Sequence, residues 1–308
     1  MGNPPSLGDL PEYDRLVLAS GNVMRDGVSA STIFQAGGLR ASANEVCTVL
    51  DVTLNAARDR MKPWCLDTSK NILYAPDDCQ TRGHGAKGPK EKEEEDKEEP
   101  EQVNLVAKVF LLSNALPPAF SPSKDIPFLI ETLHRQLGHA GSGVVMDSIV
   151  LSVDGITYDE MDDQGRQEIP SVSWQGLLES WKVVEEMKRK GEVSRIGVSE
   201  LNLGSLQDFS KAVETQPDIN HLSLNDCCVF PKSLVQYAKD HQIELLTHGD
   251  ATAIMPKESL DDLVRKHHLA PESGLIPRWV TKYSLIHPER NVVLDKGYIV
   301  IADALKRP

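Results

Sequence analysis

The chain is predicted to be an α/β protein built as a (β/α)8 TIM-type barrel, and three observations carry that expectation. Its second half alternates apolar strand runs with amphipathic helix stripes, the strands centred near residues 196, 222 and 246. That repeat of roughly 25 residues implies right-handed βαβ units and a parallel sheet. Earlier strand runs, and one near the C-terminal end, bring the count close to eight, which favours a closed barrel over an open doubly wound sheet. A chain of 308 residues is long enough for one such barrel.

Taken in order, Leu16 to Met24 is a short apolar strand run containing Gly21-Asn22. Val46, Val49, Leu50, Thr53, Leu54 and Ala57 recur at three- and four-residue steps, the spacing of a helix face. From about Asp77 the pattern dissolves, and between Lys90 and Pro100 seven acidic residues stand against three lysines. Too few apolar groups are present there to offset the entropy of ordering, so 77–101 is expected to be a disordered charged insertion. Val103 to Leu112 then reads as a buried strand with Lys108 inside it. Ile126, Leu129, Ile130, Leu133 and Leu137 mark a helix, and Asp147 to Val153 a strand.

The regular part follows. Ser173 is expected to cap a helix whose stripe is Trp174, Leu177, Leu178, Trp181, Val184 and Met187. Gly191 is placed to end it in the left-handed conformation, before a strand from Val193 to Val198. Ser205 with Asp208 resembles a capping box for a helix carrying Leu206, Phe209 and Val213 inward. Ile219 to Leu224 is a strand, Pro231 opens a helix through Leu234, Val235 and Ala238, and Ile243 to Thr247 is a strand again. The last strand is expected at Val292 to Leu294 or Tyr298 to Ile301.

Composition excludes several functions. Net charge is −13, whereas a general binder of nucleic-acid backbones needs a basic face. No apolar run approaches a membrane span, and Met1 to Asp9 shows no secretory pattern. Five cysteines at irregular spacing suit a reducing compartment better than a disulfide framework, so the expected location is cytoplasmic. Aromatic residues are 5% of the chain, so the core is expected to be largely aliphatic.

Few motifs carry chemistry. Gly83-His84-Gly85-Ala86-Lys87-Gly88 matches G-x-G-x-x-G, but a charged run follows it where a dinucleotide site needs a helix N-terminus. His267-His268, and the pair His134 and His139, lack a carboxylate or cysteine at ligand spacing, so no metal is expected. Cys227-Cys228, just past a strand, reads either as small residues under a loop or as a redox-sensitive thiol pair. Lys108 is the most suggestive single residue. A lone charge in an apolar strand is either useful in the interior or reaches solvent at the strand end.

Lys108 before Val-Phe, Met146-Asp147-Ser148-Ile149-Val150-Leu151, and Gly191-Glu192-Val193-Ser194-Arg195-Ile196-Gly197-Val198-Ser199 together resemble the aldo-keto reductases over about 103–250. The resemblance implies a single aldo-keto-reductase-like barrel over 1–308, with 77–101 inserted in it. Active members use a tyrosine as general acid, tuned by a lysine and an aspartate, with a histidine orienting the carbonyl. Only Lys108 matches. Val153-Asp154-Gly155-Ile156 stands where the histidine belongs, and Tyr74, Ser69 and Lys70 stand where the tyrosine and aspartate belong. On the cofactor side, Glu200, His221 and His248 replace the expected Asn, Gln and Tyr, so no cofactor is expected.

One branch of that superfamily fits these departures, the regulatory (modifier) subunits of glutamate–cysteine ligase. They are similar in Asn225-Asp226-Cys227-Cys228-Val229-Phe230-Pro231, in Leu245-Leu246-Thr247-His248-Gly249-Asp250, and in Arg278-Trp279-Val280 leading to Lys296-Gly297-Tyr298-Ile299. The likeness implies a non-catalytic chain, Lys108 being a remnant, that binds the ligase catalytic subunit and raises its activity. Exposed positions around Cys227, Cys228, His248 and Asp250 are the expected partner or redox surface. The alternative is an NADPH-dependent reductase.

Overall fold

The computed structural model of the chain describes residues 10–24, 41–59, 64–76, 103–113, 121–137, 146–158, 167–223, 230–287, 289–290 and 292–305. The expected insertion at 77–101 lies outside the described residues, as do Cys227 and Cys228. The elements are β1 (Arg15–Ala19), α1 (Ala41–Asp59), β2 (Cys65–Asp67), β3 (Ile72–Ala75), β4 (Asn104–Leu111), α2 (Pro122–Gln136), β5 (Met146–Val153) and α3 (Ser171–Arg189). They continue with β6 (Val193–Ser199), α4 (Leu203–Ala212), β7 (Ile219–Ser223), α5 (Lys232–Asp240), β8 (Glu244–His248), α6 (Lys257–Lys266), β9 (Leu275–His287) and β10 (Val292–Ala304).

The α/β class is as expected, and β4 to β8 are parallel neighbours with helices between them, the strand–helix alternation of the barrel type. One sheet contains the ten strands of the described residues in the order β2-β3-β1-β10-β9-β4-β5-β6-β7-β8. The sheet curls. Asp250, two residues past β8, contacts Lys108 on β4 and Lys282 on β9. In a flat sheet, β8 and β9 would stand about 24 Å apart at the usual strand spacing.

The other half departs from a run of eight parallel strands. β9 and β10 are thirteen residues each and pair antiparallel, and β9 joins β4 while β10 joins β1. The physical reason is the short connection between His287 and Val292. Parallel strands need a crossover of a dozen residues or more, and only an antiparallel pair closes over so little chain.

Two clusters fill the molecule. On the outer face, helices α2 to α5 pack against Leu105, Ile149, Leu151, Ile196, Val198 and Leu222. On the inner face, α1 and α6 lay Leu50, Leu54, Leu260 and Val264 against Leu16, Leu18, Phe110, Val280 and Tyr298. A barrel core made only of strand side chains would not need those helices.

Local signals mostly hold. The α3 stripe buries Leu177, Trp181, Val184 and Met187, and Trp181 meets Phe209 edge-on with centroids 5.0 Å apart. Gly191 has φ +75°, the left-handed residue that ends α3. Two caps differ from expectation. α3 begins after Pro170, and Ser173 instead donates its hydroxyl to Asp154 O at 2.7 Å. α4 is capped by Asn202, whose Oδ1 accepts from Ser205 N at 3.0 Å, because the chain turns one residue ahead of Leu203.

Candidate functional site

The C-terminal ends of the parallel strands gather a cluster of charged and polar side chains. β4 brings Lys108 and β9 brings Lys282, and their register sets the two directly opposite each other. Like charges so placed repel. Asp250, carried over from β8, separates them, with Oδ2 3.0 Å from Lys108 Nζ and Oδ1 2.6 Å from Lys282 Nζ. Burial alone would raise the Asp250 pKa, but the two ammonium groups outweigh it and hold the carboxyl well below its usual range. For Lys108, burial is the larger effect and lowers its pKa, with Asp250 opposing. Its Nζ also lies 5.0 Å from the centroid of the Phe110 ring.

A second carboxylate ties the neighbouring strand ends. Glu200 follows β6 with φ +68°, a left-handed conformation that a side chain of this size adopts only when its surroundings hold it. Its oxygens accept from Tyr158 N at 3.0 Å, Ser223 N at 3.2 Å, Ser223 Oγ at 2.8 Å and His248 Nε2 at 2.5 Å. Burial pushes the Glu200 pKa up, but His248, Ser223 and Tyr158 together bring it below the usual value. Asp250 lies against the other ring nitrogen, its backbone N 3.2 Å and its Oδ2 3.3 Å from His248 Nδ1. Gln167 adds a brace, donating to Thr157 O at 2.7 Å and to Glu200 O at 2.5 Å.

His221 completes the group from β7. Its Nε2 donates to Thr247 O at 2.9 Å, and its ring meets His248 edge-on at 4.6 Å. Burial, with Lys108 and His248 adding positive charge nearby, lowers its pKa to about 4, so the ring is neutral near pH 7. Beside the cluster lies a cavity of about 50 Å³ lined by Phe110, Leu112, Thr157, Glu200, Ser223 and His248 among others. That is room for a few water molecules, well short of the several hundred Å³ of ordinary small-molecule sites.

The structure brings together Lys108, Glu200, His221, His248 and Asp250 of the residues singled out in the sequence. It corrects where two of them were expected. The side chains of His248 and Asp250, expected at exposed positions, are 8% and 3% exposed and engaged with internal partners. Parallel strands aim these side chains into the curl of the sheet. Tyr74 packs in the outer-face cluster, beneath the Arg135 guanidinium at 5.4 Å, away from Lys108. Lys282, Ser223 and Gln167 were missed. Lys282 had a signal like that of Lys108, a lysine within the apolar run Leu275–His287, had that run been read as a strand.

Comparison with known proteins places this geometry in a wider setting. Residues 146–250 match the Aldo/keto reductase family. That stretch takes in β5 to β8 and ends at the carboxylate between the two lysines. The chain is similar to the "Putative glutamate--cysteine ligase regulatory subunit" of Schizosaccharomyces pombe, 29% identical over 145 residues, covering 46% of this chain and 48% of that protein. It is similar to the "Glutamate--cysteine ligase regulatory subunit" of Mus musculus, 29% identical over 133 residues, covering 43% and 48%. The match thus spans about half the length of these relatives. Among solved structures, an aldo-keto reductase of Bombyx mori in complex with NADP is 18% identical, with a TM-score of 0.29 and coverage of 42% of this chain and 37% of that one. No helix among the described residues is long and apolar enough to cross a membrane.

Proposed function

We propose that this chain is a non-catalytic regulatory subunit that binds the catalytic subunit of glutamate–cysteine ligase and raises its activity. Similarity to proteins named as regulatory subunits of that enzyme supports the reading. The observation that carries it is the state of Lys108. In a reductase that lysine serves a tyrosine; here its ammonium is bound to Asp250, which also holds Lys282. The groups around it are likewise committed, His248 to Glu200 and His221 to a backbone carbonyl. Such a cluster fixes strand ends relative to one another. A regulatory chain of this kind acts by binding the competent state of its partner more tightly than other states.

The test is the Michaelis constant of the ligase catalytic subunit for glutamate, measured with and without this chain, together with co-purification of the two. A lowered constant and a stable complex support the proposal, and an unchanged constant overturns it. A second reading, an NADPH-dependent reductase, is favoured by the retention of Lys108. Tyr298 shares the inner face, but burial raises its pKa and its hydroxyl is donated to Glu45 at 2.9 Å, both unhelpful to a general acid. Carbonyl-dependent NADPH oxidation that is lost in Lys108→Met would establish that reading instead.

A further inference from the structure

We infer that His248 is a proton-operated switch on the tie between the end of β8 and β4. When neutral, its ring accepts the Asp250 backbone N–H at Nδ1 and leaves the Asp250 carboxylate to Lys108. When protonated, Nδ1 donates to Asp250 Oδ2 and competes with Lys108 for that same oxygen.

The double placement of one ring nitrogen carries this. His248 Nδ1 lies 3.2 Å from a donor, Asp250 N, and 3.3 Å from an acceptor, Asp250 Oδ2. An imidazole nitrogen accepts in the neutral ring and donates in the charged one, so each state finds its partner already in place. The other nitrogen holds the ring still. Nε2 is 2.5 Å from Glu200 Oε1, a carboxylate itself fixed by Ser223 and Tyr158, and it keeps its proton in both states. The charge therefore changes at Nδ1.

Asp250 Oδ2 is where the two demands meet. It lies 3.0 Å from Lys108 Nζ, while Oδ1 serves Lys282 at 2.6 Å. A protonated His248 gains a charge-assisted bond to Oδ2 at the expense of Lys108. It also sets a third cation beside Lys108 on β4 and Lys282 on β9, against two carboxylates, Asp250 and Glu200 after β6. The remaining titratable neighbours do not change that balance. His221 on β7, edge-on at 4.6 Å, is neutral near pH 7, and Tyr298 on β10, bonded to Glu45 of α1, is kept protonated by burial. Asp154, after β5, lines the neighbouring cavity. Lys108, whose charge burial already disfavours, yields most readily, so proton uptake by His248 and release of Lys108 are one coupled event. Gly249 stands between His248 and Asp250, and nothing lies within 4 Å of where a Cβ would be, so the link has room to turn. Ala251 and Thr252, which follow, line the cavity with Glu200 and Ser223, so the switch moves the cavity wall.

The test is a long-range proton–nitrogen NMR correlation of the histidine rings in the full chain, recorded from about pH 5 to about pH 8, where imidazoles ordinarily change charge. His248→Gln identifies the signal. At the alkaline end the ring is expected to be neutral with its proton on Nε2, and at the acid end doubly protonated. The Asp250 amide and Lys108 Nζ signals are expected to move with the same midpoint. Lys108→Met removes the competitor and should raise that midpoint by about 0.5 pH unit or more, about threefold in proton affinity. Lys282→Met leaves Oδ2 untouched and should raise it less. A ring that keeps one charge state throughout, an Asp250 amide that does not follow it, or a Lys282→Met shift as large as that of Lys108→Met overturns the inference. The wild-type signals need no variant, so a Lys108→Met chain that failed to fold would not shield the inference.

Discussion

Replacing Asp250 by Asn keeps the shape of the side chain and removes the charge on which Lys108 and Lys282 both end. The Lys108 arm dominates, because its side chain is 7% exposed and that of Asp250 3%, whereas Lys282 is 29% exposed and solvent screens much of its share. Two unit charges about 4 Å apart attract by about 4 kcal/mol at an effective dielectric constant of about 20. Bringing both groups out of water offsets much of that gain, so the intact pair contributes little net. Removing one partner is different, because the other stays buried and uncompensated, at a cost of about 3–5 kcal/mol. The two lysines, opposite each other across β4 and β9, then also repel. Discharge of Lys108, which burial already favours, limits the loss. Urea unfolding of wild type, Asp250→Asn, Lys108→Met and the double variant measures these quantities. The expected loss for Asp250→Asn is about 3–5 kcal/mol at neutral pH. It should shrink at about pH 10, where the stranded lysine gives up its proton at less cost. The double variant should be at least about 2 kcal/mol more stable than the sum of the single losses predicts. A loss below about 1 kcal/mol, or simple additivity, would refute the reasoning.

Two further outcomes are expected. A methyl group at position 197 would lie 2.8 Å from Ile219 Cβ and 3.0 Å from Ile219 O, with Val150 Cγ2 at 3.1 Å on its other side. Gly197→Ala should therefore push β6 and β7 apart and destabilise by about 1–3 kcal/mol in chemical denaturation, and a neutral result would show that the strands move freely there. His221 has a folded pKa of about 4 against an ordinary 6.5, so its neutral form contributes stability that is complete above about pH 6.5 and declines as the pH falls toward about 4. The wild-type unfolding free energy should fall across that window and His221→Gln should flatten the fall; identical profiles would remove His221 as the cause.

The β5–β8 segment was legible because its determinants are local. A 3.6-residue apolar stripe such as Leu177–Trp181–Val184, a left-handed Gly191 and short apolar strands each declare themselves within a few residues. The helices were legible but their caps were not. Ser173 suits the N-cap of α3 and Ser205 that of α4, but α3 begins after Pro170 and α4 after Asn202, a few residues earlier in each case. β9 hid behind its polar punctuation. Pro277, Arg278, Thr281, Lys282 and Ser284 interrupt the apolar pattern of a strand that spans thirteen residues. Two of those residues have partners distant in sequence, Arg278 on Asp303 and Lys282 on Asp250, which no local window contains.

The cluster itself follows from that difference in range. Lys108 stood out in the sequence because a charge in an apolar strand demands a reason, yet the reason lies 142 residues away in Asp250. Glu200 and His248 could be recognised as departures from a reductase, but not that one answers the other at 2.5 Å. Each replacement alone would strand a buried polar group at a cost of about 1–3 kcal/mol, so they are tolerable only together. Glu200 needs the donors of Ser223, Tyr158 and His248, and Asp250 needs both lysines. The interdependence explains why the polar groups of the cluster are spent on one another.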